Sequence, residues 1–299
     1  MIDYSYWFSV ILDGAVYGCV YGLFGLCLVV IFRANKLFNF SLTTVANLMI
    51  LFLTVLLKDT LGLAAAIVVG LSASFALGAV LHFGIMRHIT EKKNVLHSSE
   101  VLLTVGLLSI VDSVNHLLFT EEPLPFPSFF KDDAFIELSN LRVSHQSLAV
   151  IGASLLVITA IFLFFKLSKM GVKMEAVSEN LTAARLRGIR ASNVLAFAWG
   201  LTTLLSVFAG IMIAPIIFVS PMMFSYIFSY SLIAVVIGGL ESPVGAVVGG
   251  VLIGIVENCG SQFDIVGSDL KFGVVFFFLL IALIVRPRGL WGKAEGRRV

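Results

Sequence analysis

The chain has 299 residues, of which 59% are hydrophobic and only 13% are charged, and its mean hydropathy is +1.04. A soluble domain has about a quarter of its residues charged, so the composition excludes an ordinary soluble protein and predicts an all-α polytopic membrane protein. The net charge of +2 gives no reason to expect nucleic acid as a partner. Cys19, Cys27 and Cys259 lack metal-ligand spacing and are expected to be packing residues.

Nine apolar segments are predicted as transmembrane helices, since a span needs about 20 residues. In chain order they are residues 8–31, 37–57, 61–86, 100–119, 148–166, 194–214, 224–240, 243–259 and 270–285. Polar residues and prolines interrupt 37–57 and 214–240, so broken or re-entrant helices are open there and the count ranges from eight to ten. The first segment is too long for a cleavable signal and has no basic residue before it. The whole chain, 1–299, is predicted as one transmembrane domain.

The first and eighth predicted spans contain small residues at helical spacing. Such residues let helix backbones approach closely in lipid. They are Gly14, Gly18 and Gly22 on the first span, and the pairs Gly245 with Gly249 and Gly250 with Gly254 on the eighth. We expect packing within the subunit, and an interface with a second subunit is the alternative.

The basic residues predict the orientation of the chain. Sixteen of the 20 Lys and Arg residues fall in one set of alternate loops, and only Lys58, Lys131, Arg142 and Lys271 fall in the other. Basic residues near span ends stay on the cytoplasmic side, so we expect the N-terminus outside and the C-terminus in the cytoplasm. The segment 167–193 is then cytoplasmic.

The loop 120–147 is predicted to be external. It contains alternating prolines, Pro123, Pro125 and Pro127, among several acidic residues. Alternating prolines favour an extended strap. Its acidity is explained either by solvation or by contact with a basic surface on an external partner.

Ionisable residues inside spans are costly and point to function by default. Asp13, His82, Asp112, His116 and Glu257 are of this kind. Asp112, Asn115 and His116 share one helix face, so we expect either a polar vestibule on the outer side or side chains that satisfy one another. The alternative role of Glu257 is to cap a helix end.

Two prolines, Pro215 and Pro221, bracket a short apolar stretch between the sixth and seventh spans. Proline does not continue a helix cleanly, so a bend or a re-entrant turn is predicted here. Irregular backbone at membrane depth is tolerated only where protein buries it or where it lines a cavity.

The cytoplasmic segment contains a short predicted helix. Asn180 is a good N-cap, Leu181 to Arg187 favour a helix, and Gly188 is a natural residue after its end. Val177, Leu181 and Ala184 fall on one face. A helix of about two turns is not stable alone in water, so it must pack on its own protein, on a partner, or on lipid headgroups.

Four motifs follow one another in order and cover most of the chain: Tyr17 to Phe40, Gly171 to Ile189, Gly238 to Glu257, and Val285 to Gly292. With them the chain resembles the permease family of branched-chain amino acid ABC importers, whose members also carry amides or urea. Two departures are the run Asn39 to Thr44, which lacks a Gly that the family usually has there, and Glu241, where the family commonly has Gly.

The resemblance implies a permease subunit in a bacterial inner membrane. Two permease subunits would form the path, two ATPase subunits would bind the cytoplasmic segment, and an external solute-binding protein would deliver the ligand. ATP and Mg would be held by the ATPase partners, and this chain would bind no cofactor. The implied ATPase-coupling residues are Glu175, Glu179, Asn180, Leu181, Ala184, Arg185, Arg187 and Gly188. The candidate residues of the solute path are Asn39, Thr43, Thr44, Asn47, Asp112, Asn115, His116 and Glu257.

The sequence carries no motif of an enzyme. Gly292 and Lys293 are followed by Ala294 and lack the upstream loop of a nucleotide-binding motif, so ATP hydrolysis is expected from partner subunits. The alternative function is a stand-alone ion-coupled transporter with Asp112 or Glu257 as its ion site. A branched-chain amino acid, another amino acid, urea and a short amide all remain open as solutes. The second permease is either an identical chain or a homologue.

Overall fold

The structure is a computed structural model that describes residues 4–59, 62–90, 97–119, 122–130, 135–138, 141–262, 270–287 and 289–292. Helices account for most of this part of the chain, and one two-stranded hairpin accompanies them. The elements are α1 Tyr4–Asn35, α2 Leu42–Asp59, α3 Leu63–Leu81, a π-helical turn His82–Met86, α4 Arg87–Thr90, α5 His97–Leu118, β1 Phe135–Leu138, β2 Leu141–Ser144, α6 His145–Leu167, α7 Lys169–Glu179, α8 Leu181–Leu186, α9 Ala191–Ile217, α10 Met223–Gly238, α11 Pro243–Gly260 and α12 Lys271–Val285.

Six of the described helices are long and apolar enough to cross a membrane, judged by length and composition: Tyr6–Asn35, Leu63–Met86, Ser99–Leu118, His145–Leu167, Ala191–Ile217 and Pro243–Gly260. Three shorter apolar helices are Leu42–Leu56, Met223–Gly238 and Lys271–Val285. Each predicted span coincides with one of these helices, and the all-α class is confirmed. The count of nine crossings stays a prediction, because three helices are shorter than the usual span of about 20 residues.

The predicted start of the second span at residue 37 is wrong. Helix α2 begins at Leu42, after a turn that starts with Lys36 at a φ of 60°. The Asn39 side chain holds the turn, since its Oδ1 accepts hydrogen bonds from Ser41 N at 3.1 Å and from Ser41 Oγ at 2.7 Å. A short polar side chain that binds nearby donors in this way competes with helix formation.

The chain packs as two compact units. The first comprises Met1–Val29, Ser128–Thr159 and Ile227–Val299, and the second comprises Val30–Pro127 and Ala160–Tyr226. Each unit is described by itself, and the single transmembrane domain 1–299 stays a prediction.

Helices α1 and α11 pack closely in the first unit. A Cβ added to Gly18 would lie 2.6 Å from Val251 Cα, and one added to Gly254 would lie 2.2 Å from the Gly14 carbonyl oxygen. Any side chain larger than hydrogen would therefore force these backbones apart. The glycine spacing serves packing within the chain, as predicted.

Two of the four sequence motifs, Gly238 to Glu257 and Val285 to Gly292, contact each other in this unit. Leu290 N donates to Ile237 O at 2.8 Å, and Trp291 N donates to Gly238 O at 3.0 Å. Gly239 allows the approach, because its φ of 108° is a conformation that L side chains rarely adopt. The residues from 293 onward lie outside the described part of the chain.

The second unit contains α2, α3 and α9. A Cβ on Gly78 of α3 would lie 2.6 Å from the Trp199 carbonyl oxygen, so α3 and α9 approach at glycine. Trp199 is among the largest fully buried side chains, and the buried His82 ring lies 6.4 Å from it. This unit therefore has its own tightly packed core.

The connection between α9 and α10 bends as predicted. Pro215 lies inside α9, Phe218 adopts a φ of 60°, and α10 begins only at Met223. Val219 is anchored by a β-bridge to Leu124, with hydrogen bonds of 2.8 and 2.9 Å in the two directions. The bend is thus tied to residues of the predicted external loop.

That loop is more structured than a simple strap. Residues 122–130 form no helix, but β1 and β2 pair as an antiparallel hairpin with Phe135 opposite Ser144. The predicted acidic positions Glu121, Asp132 and Asp133, and also Lys131, lie outside the described residues. The solvated and partner-binding readings of the loop both stay open.

The three cysteines behave as apolar packing residues in the described helices. Cys19 and Cys27 are buried, and Cys259 is partly buried. The Cys27 thiol donates to the Leu23 carbonyl oxygen at 3.2 Å within α1. Among the described residues, no cluster of three His, Cys, Asp or Glu side chains is arranged to hold a metal ion.

Candidate functional site

The segment 167–193 folds as two helices, of which the sequence predicted only the second. Helix α6 ends at Leu167, and Ser168 begins α7 with extended backbone and an Oγ that accepts from Met170 N at 3.1 Å. Gly171 permits a sharp return, because a Cβ there would lie 2.8 Å from Phe165 Cα. Helix α7 therefore folds back directly from the end of α6.

Asn180 separates the two helices. Its backbone is extended, with φ −155° and ψ 99°, and its side chain caps α8 by accepting from Ala183 N at 2.9 Å. Its own N–H still donates to Ala176 O at 3.2 Å and completes the end of α7. The predicted role of Asn180 as an N-cap is confirmed.

Gly188 ends α8 in the manner predicted. Its φ is 77°, a left-handed conformation that favours glycine. Gly188 N donates to Arg185 O at 3.0 Å, and Ile189 N donates to Ala184 O at 3.1 Å. This pair of hydrogen bonds forms a Schellman motif, which turns the chain sharply toward α9.

One face of the segment is buried in the second unit. Gly171, Met174 and Val177 of α7 are buried, and so is Ala184 of α8, whereas Leu181 is only partly buried. The segment is therefore held by its own protein. Ala184, expected from the resemblance to couple to an ATPase, faces inward.

The opposite face of α8 is exposed and was only partly foreseen. Arg185 of α8 is exposed, as are Glu179 at the end of α7 and Arg187 just after α8; their coupling to a partner stays a prediction. Leu186 lies between the two arginines with 85% of its surface exposed. The only signal for Leu186 in the sequence is its place in the predicted helix, nearly opposite Ala184.

Glu175 has a partner that the sequence did not reveal. Arg33 Nη2 lies 2.9 Å from Glu175 Oε1, and Arg33 Cζ lies 5.2 Å from the centre of the Phe165 ring. Arg33 belongs to the last turn of α1. Glu175 is therefore engaged with the protein's own first helix, while Glu179 faces solvent.

The candidate path residues of α2 lie at its beginning. Thr43 and Thr44 are in the first turn, where their hydroxyls donate to Phe40 O at 3.1 Å and to Ser41 O at 3.2 Å. Asn39 is buried and supports the preceding turn. Both threonines lie at the start of the helix because α2 begins at Leu42, and their place on the solute path stays a prediction.

Two buried asparagines connect α2 to its neighbours. Asn47 Nδ2 donates to the Pro221 carbonyl oxygen at 2.6 Å, at the bend between α9 and α10. Asn115 Nδ2, from α5, donates to Thr44 O at 3.1 Å. Each asparagine Oδ1 is buried without a hydrogen-bond partner among the described residues. The structure thus brings together Thr44, Asn47 and Asn115, three of the predicted path residues.

Asp112 and His116 form a looser pair one turn apart on α5. His116 Nε2 lies 4.0 Å from Asp112 Oδ2, and both side chains are partly exposed. The contact is an ion pair only when the imidazole is protonated. Because 4.0 Å exceeds a hydrogen bond, the two alternatives, a polar vestibule and side chains that satisfy one another, both stay predictions.

Glu257 belongs to the first unit and is engaged there. Tyr21 OH donates to Glu257 Oε2 at 2.7 Å, and the rings of Tyr21 and Tyr230 lie 5.1 Å apart. Tyr230 and Lys271 also interact with this carboxylate. The Glu257 side chain binds a neighbouring helix and is not the cap of its own helix.

Comparison with known proteins identifies the family. The family model described as "Branched-chain amino acid transport system / permease component" matches residues 10–285. The match therefore runs from α1 to the end of α12 and includes the segment 167–193 and both regions of glycine packing.

Individual relatives agree with this match. The permease protein LivH of the high-affinity branched-chain amino acid transport system of Escherichia coli is 22% identical over 99% of both chains, and LivH of Salmonella typhimurium is 23% identical over the same share. BraD of Pseudomonas aeruginosa, a permease protein of the same kind of system, is 27% identical, but the alignment spans only 54% of this chain and 52% of BraD.

A solved structure, PsaBC from Streptococcus pneumoniae in complex with Fab, aligns with 93% of this chain and 92% of that chain, with 14% identity and a TM-score of 0.47. The family match and the full-length relatives carry the assignment. The chain belongs to the family of permease components of branched-chain amino acid transport systems and is a multi-pass membrane permease subunit.

Proposed function

We propose that this permease subunit works in an ATP-driven importer, in which ATPase subunits bind the exposed face of α8. The observation that supports this most directly is the position of Leu186. Its surface is 85% exposed at the end of a capped helix whose other face is buried. An exposed leucine between two arginines gives a partner an apolar contact with charged edges, and arginine is among the residues enriched in interface hot spots.

The competing reading, a helix that lies on lipid headgroups, is less well supported. A helix of that kind turns its apolar stripe toward the membrane. Here the apolar residues Met174, Val177 and Ala184 are buried in the protein, so the segment is already held. Within α8 the exposed large apolar side chain is Leu186, and on α7 Val172 is also exposed. These two isolated side chains form no continuous apolar stripe, which fits a protein groove better than a lipid surface.

The orientation with the N-terminus outside and the C-terminus in the cytoplasm forms part of the proposal. It is supported by the Arg33–Glu175 contact, because this contact lies at the end of α1 and within α7. The end of α1 and the segment are therefore on one side of the membrane, and the basic residues of both favour the cytoplasmic side.

The solute that we propose is a branched-chain or other small amino acid. The support comes from the names of the LivH and BraD relatives, which are permease proteins of branched-chain amino acid transport systems. A second permease subunit and an external solute-binding protein complete the proposed importer. Thr44, Asn47 and Asn115 are the proposed polar contacts, since two of them offer buried acceptor oxygens.

The test is uptake by the chain assembled with its ATPase partners in proteoliposomes. We expect radiolabelled leucine uptake in the presence of the binding protein to stop when the nucleotide-binding motif of the ATPase is mutated. We expect the same uptake to survive an uncoupler that collapses ion gradients. Uptake that continues with the mutated ATPase and stops with the uncoupler would replace the proposal by an ion-coupled transporter.

A further inference from the structure

We infer that Arg33 is a positioning residue that transmits movement of the cytoplasmic segment to α1. This inference rests on the proposed function, because it presumes that an ATPase acts on α8. Its basis is the place of the Arg33 guanidinium, where α1, α6 and α7 meet within the second unit.

The contact geometry is specific to arginine. One guanidinium nitrogen lies 2.9 Å from Glu175 Oε1, and the same planar group lies over the Phe165 ring at 5.2 Å. A guanidinium can bind a carboxylate at its edge while it stacks on an aromatic face, and a lysine ammonium cannot make both contacts in this way. The side chain is therefore held from two directions.

The three partners occupy mechanically distinct positions. Phe165 lies in the last turn of α6, and Glu175 lies in the middle of α7. Arg33 lies two residues before the end of α1, just ahead of Lys36, whose backbone φ is 60°. A non-glycine residue in that conformation is uncommon and is held by its surroundings. A displacement of α7 would thus act on the connection between α1 and α2.

Stability alone does not account for the pair. The Arg33 and Glu175 side chains are 24% and 51% exposed, and an ion pair in contact with water adds little to folding. Helix α7 is already fixed by the buried Gly171, Met174 and Val177. The pair instead couples the rotation of α7 to α1, since it is a direct polar link between a side chain of α7 and a side chain of α1.

The connection between α1 and α2 leads directly to the proposed solute contacts. Asn39 and Ser41 hold the turn by the hydrogen bonds described above. Thr44 then lies in the first turn of α2, where its carbonyl oxygen accepts from Asn115. Strain applied at Arg33 would reach this cluster through about ten residues of chain.

The experiment measures coupling in the assembled transporter, with ATPase subunits and binding protein in proteoliposomes. Leucine taken up and ATP hydrolysed are measured together for Arg33→Ala, Arg33→Lys and Glu175→Gln, and for the reversed pair R33E with E175R. Retention of the ATPase on the purified permease and thermal unfolding are measured in parallel. Lys173→Ala is the matched control, because Lys173 is an exposed cation on α7, the helix that carries Glu175.

We expect Arg33→Ala and Glu175→Gln to retain the ATPase and to lower the leucine transported per ATP by at least about threefold. The reversed pair should recover part of this ratio, because it restores the ion pair without the guanidinium of Arg33 over Phe165. Arg33→Lys should likewise recover only part, because lysine lacks the planar contact with Phe165. Lys173→Ala should keep the normal ratio. A merely structural role would lower uptake and hydrolysis in proportion and leave the ratio unchanged.

Two outcomes would overturn the inference. One is a normal ratio in Arg33→Ala, and the other is loss of the ATPase from that variant, which would make Arg33 part of docking. Failure of the proposed function is distinguishable, because the unmodified permease would then neither retain the ATPase nor support ATP-dependent uptake.

Discussion

The hydroxyl of Tyr21 donates a hydrogen bond to Glu257 Oε2 over 2.7 Å and so joins α1 to α11. The bond lies along the same helix pair that packs through Gly14, Gly18 and Gly254. Close backbones and an apolar surrounding leave a carboxylate few partners, and Tyr21 satisfies it together with Tyr230 and Lys271. Glu257 is thereby engaged in the structure of the first unit.

Removing this hydroxyl should destabilise the protein. We expect Tyr21→Phe to lower the free energy of unfolding in detergent by about 1–2 kcal/mol, because the carboxylate loses a charge-assisted donor. Glu257→Gln should cost less, since an amide oxygen still accepts the bond. The double variant should cost less than the sum of the single changes. Strict additivity in this cycle would show that the two side chains act independently.

The exposed tip of α8 offers the sharpest test of ATPase binding. We expect Leu186→Glu to weaken binding of the ATPase by about 2 kcal/mol, because it removes an apolar anchor from the interface. The permease itself should fold normally, since Leu186 is 85% exposed. Copurification from detergent measures the result. Lys173→Glu on α7 is the control, and equal ATPase retention in both variants would contradict docking at α8.

Binding of the ATPase should also depend on the backbone conformation of the turn after α8. Gly188 has a φ of 77°, and an L side chain there costs about 1–2 kcal/mol. We expect Gly188→Ala to reduce ATPase retention and Gly188→Pro to abolish it, because proline also removes the N–H that donates to Arg185 O. The intact α9 should keep the permease folded. Full retention with Gly188→Pro would mean that the orientation of α8 is unimportant.

Ala184 requires a different expectation from the exposed residues of α8. It is buried against the second unit, so Ala184→Glu would place a carboxylate in an apolar contact. We expect this variant to lower thermal stability as well as ATPase retention. Loss of docking with unchanged stability would instead indicate that Ala184 faces the partner.

The glycines divide into those at close helix contacts and those with open space around them. A Cβ at Gly18 meets Val251 Cα at 2.6 Å, whereas a Cβ at Gly106 or Gly152 meets nothing within 4 Å. We expect Gly18→Ala to destabilise by about 1–3 kcal/mol through overpacking, and Gly106→Ala and Gly152→Ala to be neutral or slightly stabilising. Unfolding in detergent checks all three. A neutral Gly18→Ala would rule out the tight α1–α11 contact.

The sequence predicted the features that local chemistry determines. Apolar length located the membrane helices, and the residue types at Asn180 and Gly188 located both ends of α8, because capping depends on side chains and φ angles close to the site. Glycine spacing located the α1 packing face. The family resemblance then supplied what these features do together.

The features that the sequence missed depend on contacts between distant residues. Helix α7 contains two lysines and two glutamates in eleven residues, and its few buried residues give too weak a period to separate it from a loop. Arg33 and Glu175 are 142 positions apart, so no local pattern links them. Helix α2 begins at Leu42 and not at residue 37 because the side chain of Asn39 forms hydrogen bonds in the preceding turn. A hydropathy window does not detect such bonds.

Replacing Asn115 tests the proposed solute contacts, because the change should leave thermal stability intact and yet lower leucine uptake. Its Nδ2 donates to Thr44 O, and its Oδ1 is buried without a partner among the described residues. A buried acceptor of this kind is costly, so Asn115→Leu, which keeps the volume, should leave thermal stability unchanged or raised. If the oxygen accepts a donor from the solute, leucine uptake should fall about tenfold, since one hydrogen bond is worth about 1.4 kcal/mol there. Ser113→Ala on the exposed side of α5 is the control, and uptake that is equal in both variants would remove Asn115 from the path.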